Sequence, residues 1–335
     1  VPRAARLEYD RSAQTPRARL RYARDMRAML VAAGFGARLD PLTRELPKPA
    51  LPVGNRPIAW FGLDVLARFG VHEVVVNTHH LAPQLRAALE PHCPAGMQLD
   101  FVHEPEILGT GGGVRNAWDP HASEDFLVWN AKLLFAPNLA RALAAHRAHD
   151  AIATLVLRAQ PTGSTFAPVE VDTEGRVLRI RGEPRSNTRL GHARMFASVQ
   201  ILSARAHRDL PSQGDIFEHA YIPWLTRGEY VSSITDDSPW FDVGVTPAHY
   251  LEANMALATG TVRWPGIEPL ASAVIADHSA RVAPGAQIEA SVLGRAAVVA
   301  DGARLERVVA WDGAQVQSSL RNAIVTSAGR VVRIG

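Results

Sequence analysis

Cysteine and lysine are the residues this sequence nearly does without. One cysteine, Cys93, in 335 residues excludes an internal disulfide framework and any cysteine-rich metal centre, and it reads as a small buried hydrophobe. No run approaches the roughly 18 apolar residues that a membrane-spanning helix needs. The N-terminal residues hold no signal-type apolar core either, so the expected location is the cytoplasm and no membrane partner is expected. Among 36 basic residues only Lys48 and Lys132 are lysines; all the others are arginine. Both fall inside motifs that read as parts of a site.

What is present fits a globular chain with one large domain and room for a smaller one: 47% hydrophobic and 21% charged residues. The net charge of +3 hints at nucleic acid until it is divided along the chain. Residues 1–25 carry seven arginines against Glu8, Asp10 and Asp25, a balance of +4, which leaves −1 for everything after them. The basicity belongs to this leader, and nucleic-acid binding loses its main support. The leader shows no sustained periodicity and reads as an alternative-start extension or a flexible arm, with the folded body beginning near Met26.

The chain is organised around residues 30–53. A short apolar run, 29–33, ends in Gly34-Phe35-Gly36; Arg38, a proline-punctuated turn and Lys48 between Pro47 and Pro49 follow. Glycines let backbone N–H groups approach phosphate oxygens at the end of a buried strand. Arg38 adds a planar bidentate grip, and Lys48 a point charge on stiffly held backbone. The pattern points to an anion site.

The longer pattern, Ala32-Ala33-Gly34-x-Gly36-x-Arg38-Leu39 followed by Pro41-Leu42-Thr43 and Leu46-Pro47-Lys48-Pro49, resembles the signature of the sugar-1-phosphate nucleotidyltransferases, the nucleotide-sugar pyrophosphorylases. The resemblance implies a Rossmann-like, doubly wound, mostly parallel α/β sheet. It also implies a reaction in which a sugar-1-phosphate attacks a nucleoside triphosphate to give an NDP-sugar and pyrophosphate. The run Gly111-Gly112-Gly113 and the overall layout are similar to mannose-1-phosphate guanylyltransferases and muramic-acid-1-phosphate uridylyltransferases.

Periodicity supports the α/β rhythm independently. Helices are predicted over 57–69, 82–89, 137–149 and from 214–218 to 225, and strands over 71–77, 99–103, 126–130, 151–157 and 195–202. A hairpin is expected from 169–171 to 177–180. His79-His80 reads as loop, because adjacent histidines on a strand point to opposite faces and no third metal ligand is near. By the resemblance, Ala33, Gly34 and Gly36, with Gly109, Thr110, Gly111 and Gly112 at the start of a helix, border the nucleotide.

Four positions depart from the family's pattern: Ala37 for Thr or Ser, Ala131 and Lys132 within Asn130-Ala131-Lys132 for Asn-Gly-Asp, and Ser198 for the glycine of Phe-Thr-Gly. The aspartate at the third position of Asn-Gly-Asp holds Mg²⁺ in the family. Ammonium offers no oxygen to such an ion, and at 4 Å it repels it by about 8 kcal/mol at an effective dielectric near 20 before screening. Mg²⁺ is the cofactor the resemblance implies, and Lys132 argues against its ordinary binding. Trp240-Phe241-Asp242-Val243-Gly244 resembles the family's Trp-x-Asp-Ile-Gly, which implies Asp242 as the second metal carboxylate; beside Lys132 it is alternatively a salt-bridge partner. Asn130, Glu183 of Gly182-Glu183-Pro184 and Ser198 are candidates for the sugar phosphate, and Arg38, Lys48 and Lys132 for catalysis.

After residue 260 the texture changes. Gly-Ala-x-aliphatic recurs at 285–288, 302–305 and 313–316, and Val282, Val299 and Val316 stand seventeen apart. That is a solenoid period. It resembles the left-handed parallel β-helices of hexapeptide repeats that follow some nucleotidyltransferase domains. The chain therefore divides into 1–25, a nucleotidyltransferase domain 26–260, and a β-helix domain 261–335 through which a homo-oligomer is expected. The substrates expected are a nucleoside triphosphate and a sugar-1-phosphate. The departures also admit another class of function, a degenerate nucleotidyltransferase-like protein that binds nucleotide or sugar as a regulatory subunit or scaffold.

Overall fold

The structure, a computed structural model, describes residues 26–119, 121, 123–160, 166–185 and 191–335; the arginine-rich leader lies outside the described residues. Short β-branched and aliphatic runs form the sheet. β1 (Arg27–Val31), β2 (Glu73–Thr78), β3 (Gln98–His103) and β4 (Phe126–Asn130) run parallel in the order β4-β1-β2-β3. Alternate side chains of one strand go to opposite faces, and two cores result. Ala28, Leu30, Val74, Val76, Leu127 and Trp129 join one apolar cluster, and Met29, Val75, Phe126 and Val128 join the other.

Helices cover both faces. α1 (Ile58–Phe69) adds Phe61, Leu63 and Leu66 to the first core, and Gly70 ends it with φ 102°. α2 (Ala82–Leu89) buries Leu85 and Leu89, and Cys93, just after it, is half-buried where full burial was expected. α3 (Gly109–Ala117) places Val114 and Ala117 in the second core. The doubly wound arrangement follows from burial on both faces.

Beyond β4 the sheet turns antiparallel. β5 (Leu133–Phe135) leads to α4 (Leu139–Ala148), which starts later than predicted because Asn138 Oδ1 accepts the Arg141 N–H at 3.0 Å and caps it. β6 (Ala153–Arg158), the hairpin β7 (Pro168–Val171) and β8 (Val177–Ile180), and β9 (His192–Leu202) follow. β9 starts three residues before its predicted beginning because its first half extends along β7, while its second half pairs β4, all antiparallel. β6 lies against its other edge, also antiparallel. The helix expected to reach Leu225 is a wide π turn over Phe217–Tyr221 followed by α5 (Ile222–Thr226). β10 (Val231–Thr235) pairs β6 in parallel, and β11 (Trp240–Asp242) pairs β5 antiparallel. α6 (Pro247–Ala258) ends this part of the chain.

The seventeen-residue period is structural. Val282 is the register partner of Val299, and Val299 of Val316, in parallel strands. Ile275, Val292, Val309 and Ile324 stack along another face, and Ile288 and Leu305 along a third. Three parallel faces per coil are compatible with the expected β-helix. The last strand, Val331–Arg333, runs antiparallel and closes that end.

The coil is fused to the sheet layer. Val292, Val309, Trp311 and Ile324 belong to the same apolar cluster as Leu251 and Met255 of α6. At its centre the buried Tyr250 hydroxyl donates to the Pro52 carbonyl at 2.5 Å and accepts the Trp311 indole N–H at 2.9 Å. Burial raises this phenol above its usual pKa, so it stays a neutral donor. Asn55 Nδ2 donates to the Leu293 carbonyl at 2.8 Å, and Thr326 Oγ1 to Glu45 Oε1 at 2.6 Å. Tyr250→Phe leaves one buried acceptor and one buried donor unpaired, at about 1–3 kcal/mol each. Thermal unfolding should show a single transition lowered by several degrees; an unchanged midpoint would mean the seam does not depend on this node.

Candidate active site

The site lies at the carboxyl ends of β1, β2 and β4, where ligands of open α/β sheets bind. Leaving β1, the backbone N–H groups of Ala32 and Ala33 both point at Asn77 Oδ1, at 2.6 and 3.3 Å. Asn77 Nδ2 donates to Glu104 Oε1 at 2.7 Å, and Glu104 Oε2 accepts the Leu108 N–H at 3.0 Å. Asn77 and Glu104 are buried, so this relay fixes the first glycine loop to the start of the second. Sequence reasoning missed both residues. Their signal was a lone amide near the end of a β-branched run and an acid closing the next strand.

Gly36 takes the left-handed conformation, φ 68°, and starts a 3₁₀ turn over Ala37–Leu39 that carries the exposed Arg38. A Cβ on Gly36 would stand 2.9 Å from Thr43 Cγ2 and 3.1 Å from Lys48 Cβ, so the glycine lets the two halves of the loop close on each other. Lys48 runs back from its own 3₁₀ turn, Lys48–Ala50, until its Nζ reaches Gly34, 3.7 Å from where a Cβ there would be.

Lys132 and Asp242 are brought together by strand pairing. The turn after β4 is tied to β1 by the Ala131 N–H on the Val31 carbonyl at 3.2 Å, and Leu133 pairs with Asp242 across β5 and β11. Lys132 Nζ then meets Asp242 Oδ2 at 2.5 Å, with side-chain exposures of 17% and 3%. The other oxygen, Oδ1, accepts the Gly244 N–H at 2.9 Å. Gly244 has no room for a side chain: its Cβ would lie 2.9 Å from Lys132 Cδ, 3.0 Å from Lys48 Cδ and 3.2 Å from Asp242 Oδ1. One glycine therefore marks the point where both lysines of the chain and the carboxylate converge.

The electrostatics follow. Burial above all, then the neighbouring Lys132, and to a lesser degree Arg38, together lower Lys48 to about 8, with Asp242 opposing them. Arg38, Lys132 and Asp242 thus all act on Lys48, and cationic charge predominates around it.

The second glycine run packs closely on the segment that follows β9. Gly109, with φ 77°, and Gly111 sit against the Gly214 carbonyl, which accepts the Gly111 N–H at 2.8 Å. Gly112 lies against the Ser212 carbonyl, 2.5 Å from where a Cβ would be. The Thr110 hydroxyl accepts the Ile216 N–H at 2.9 Å and approaches Asp215 Oδ2 at 3.3 Å. These glycines permit close packing on the 211–216 segment, and the Gly111 N–H is used in it. Likewise the Ala33 N–H is already taken by Asn77.

Asn130 closes β4, its carbonyl accepting the Lys132 N–H at 2.8 Å. Ser198 adopts φ 65° in the bulge of β9, a left-handed backbone of the kind glycine adopts freely. Glu183 stands apart from the lysines in its contacts: its carboxylate accepts the Arg185 N–H at 3.1 Å and pairs with the Arg185 guanidinium at 3.3 Å. His79 and His80 lie beside Phe35, with ring centroids at 5.1 and 6.0 Å, and His79 Nδ1 contacts the Glu104 carbonyl at 2.8 Å.

A magnesium ion does not fit these residues. It needs several hard oxygen donors, whereas both Asp242 oxygens already accept hydrogen bonds and an ammonium occupies the expected ligand position. Among the described residues no group of three or more His, Cys, Asp or Glu could hold a metal.

Comparison with known proteins agrees with this architecture. Over 296 residues the chain is 28% identical to a mannose-1-phosphate guanylyltransferase of Mycobacterium tuberculosis, covering 87% of this chain and 81% of that one. It is 26% identical over 260 residues to a UTP–glucose-1-phosphate uridylyltransferase of Synechocystis, covering 72% and 67%. The crystal structure of HddC from Yersinia pseudotuberculosis complexed with GMP-PN is similar in fold, with a TM-score of 0.56 at 22% identity over 68% of this chain and 97% of that one. Residues 27–260 match the nucleotidyl transferase family, to which the chain therefore belongs.

Proposed function

We propose that this chain transfers a nucleotidyl group from a nucleoside triphosphate to a sugar-1-phosphate, with ammonium groups standing where the family places a divalent ion. A phosphate oxygen of the sugar-1-phosphate attacks the α-phosphorus, the bond from that phosphorus to the bridging oxygen breaks, and pyrophosphate leaves as the NDP-sugar forms. Such catalysis is alignment and charge neutralisation. The observation that carries the reading is the convergence of Lys48 and Lys132 on Gly244 beside Asp242. Arg38 is assigned to the leaving pyrophosphate, Lys48 and Lys132 to the α-phosphate and the attacking phosphate, and Asp242 to holding Lys132 in place.

Gly34 and Gly36 are assigned to the triphosphate, and Gly109 to Gly112 to the wall beside the nucleotide. Asn130 and Ser198 are assigned to the sugar side, with Glu183 reaching it only by leaving Arg185. Members of the family use a divalent ion such as Mg²⁺; in this chain Lys132 stands for one of its expected protein ligands, and the other, Asp242, is paired with that lysine. Guanylyl or uridylyl transfer to a hexose phosphate is the finer proposal, with 26–260 as the catalytic part, a cytoplasmic location, and self-association through 261–335. Support for the last is the exposure of Leu270 (62%) and Val282 (44%) on the first coil. A second reading, a ligand-binding regulatory subunit or scaffold, is favoured by the same salt bridge, because it occupies the carboxylate.

Pyrophosphate release with nucleoside triphosphates, sugar phosphates and Mg²⁺ tests the choice beside Lys132→Asp. Turnover that vanishes in Lys132→Asp supports the working lysine. Silence in the unaltered protein, with triphosphate binding intact by calorimetry, selects the regulatory reading.

The lowered Lys48 gives a pH dependence. Its charged form is disfavoured in the folded protein, so charging it costs stability below about 8, and that cost is relieved as pH rises from there toward the ordinary lysine value. An anionic triphosphate raises the group again, so binding takes up a proton above that pH. Affinity should fall by up to about tenfold per pH unit between pH 8 and 9.5, with buffer-dependent binding enthalpy. Lys48→Arg should flatten the profile; a flat profile in the unaltered protein would remove Lys48 from the cradle.

A further inference from the structure

Arg158, the last residue of β6, is a half-buried cation whose binding capacity the structure leaves largely unused. It pairs in register with Met195 of β9, three residues before Ser198. Its Nη1 donates to the Ser238 carbonyl at 3.2 Å, and its Nε is buried without a hydrogen-bond partner. The guanidinium carbon lies 5.2 Å from the ring centroid of Trp240. Two carboxylates are close enough to act on it, Asp237 and Asp236, but burial outweighs them and lowers its pKa. Both are committed elsewhere. Asp236 accepts the Ser238 N–H and hydroxyl through Oδ1 and the Asn138 N–H through Oδ2, and Asp237 Oδ1 accepts the Ala159 N–H.

The position of Arg158 relative to the lysines is set by β11. Trp240 and Asp242 are two residues apart on one strand, so their side chains share a face about 7 Å apart. Trp240 Nε1 donates to the Ala197 carbonyl at 3.3 Å, which puts the indole beside the Ser198 bulge. Starting from the Lys132–Asp242 pair, where a sugar phosphate must react, the indole comes next and the Arg158 guanidinium beyond it. That succession is comparable to a hexose from its C1 phosphate to its C6 substituent.

A neutral hydroxyl would repay little of what leaving a buried guanidinium N–H unpaired costs, whereas an anion accepting two of its N–H groups forms the strongest pairing this side chain makes. We infer that Arg158 recognises a second anionic group, a carboxylate or a phosphate, carried by the sugar-1-phosphate at the end remote from C1. This rests on the sugar-phosphate reading of the site and narrows it to acidic sugar phosphates.

The test compares binding to the full-length chain of glucose 1-phosphate and mannose 1-phosphate with their C6-oxidised (uronic) and 6-phosphorylated counterparts, by calorimetry, with pyrophosphate release measured in parallel. At least one anionic form should bind roughly tenfold or more tightly than its neutral parent, the scale of a hydrogen bond to a charged group. Which form it is separates carboxylate from phosphate. Arg158→Gln should bring that ratio to near one, and Arg158→Lys should keep part of it. Equal or tighter binding of the neutral parents overturns the inference. So does a ratio that Arg158→Gln leaves unchanged while melting temperature falls, since that is the mark of a clamp on the Ser238 turn. Pyrophosphate release from neutral sugars without acid preference removes the inference and keeps nucleotidyl transfer. Acid preference without release removes the transfer and keeps the inference, and failure to bind any sugar phosphate removes both.

Discussion

Everything at this site depends on one ion pair, Lys132 with Asp242. A carboxylate as buried as Asp242 must be paired or protonated, and its partner is an ammonium 2.5 Å away. The pair engages the carboxylate, which only partly offsets the charge of Lys48. Two ammonium groups whose stems meet at Gly244 repel one another, which is part of why Lys48 is lowered to about 8. A polyphosphate relieves that repulsion. Like charges held this close favour an anion beside them over an empty site.

Fixed charges help only if they cannot drift, and the surrounding structure is arranged to hold them. The relay from Ala32 and Ala33 through Asn77 and Glu104 to Leu108 sets the spacing of the two glycine loops. The close approach of Gly109, Gly111 and Gly112 to the 211–216 segment stiffens the second. On the far side, Glu45 joins the signature loop to Thr326 and Ala328 of the coil, and Tyr250 links Pro52 to Trp311. The coil thus braces the loop that carries Lys48, and its stability and the geometry of the site are coupled through one continuous core.

Much of this was legible in the residues. The alternation of apolar runs located β1, β2 and β4 to within two residues, because a strand buried on both faces writes its period directly into local sequence. The recurrence of Val282, Val299 and Val316 was read as a coil and is realised as direct register partners. The scarcity of lysine by itself singles out Lys48 and Lys132. Boundaries slipped where a side chain intervened, as at the Asn138 cap of α4, or where a distant partner extended the strand, as β7 does for β9.

The sequence by itself thus determined the α/β rhythm, the coil period and the identities of the charged groups, since these are written in local spacing and composition. Tertiary structure alone decided which groups meet. Lys132 finds Asp242 across 110 residues only because β5 pairs with β11. The N–H of Gly111 is closed off by a carbonyl more than a hundred positions away, and the Nε of Arg158 is buried without a hydrogen-bond partner. Such pairings depend on distances between strands far apart along the chain, and no local period encodes them.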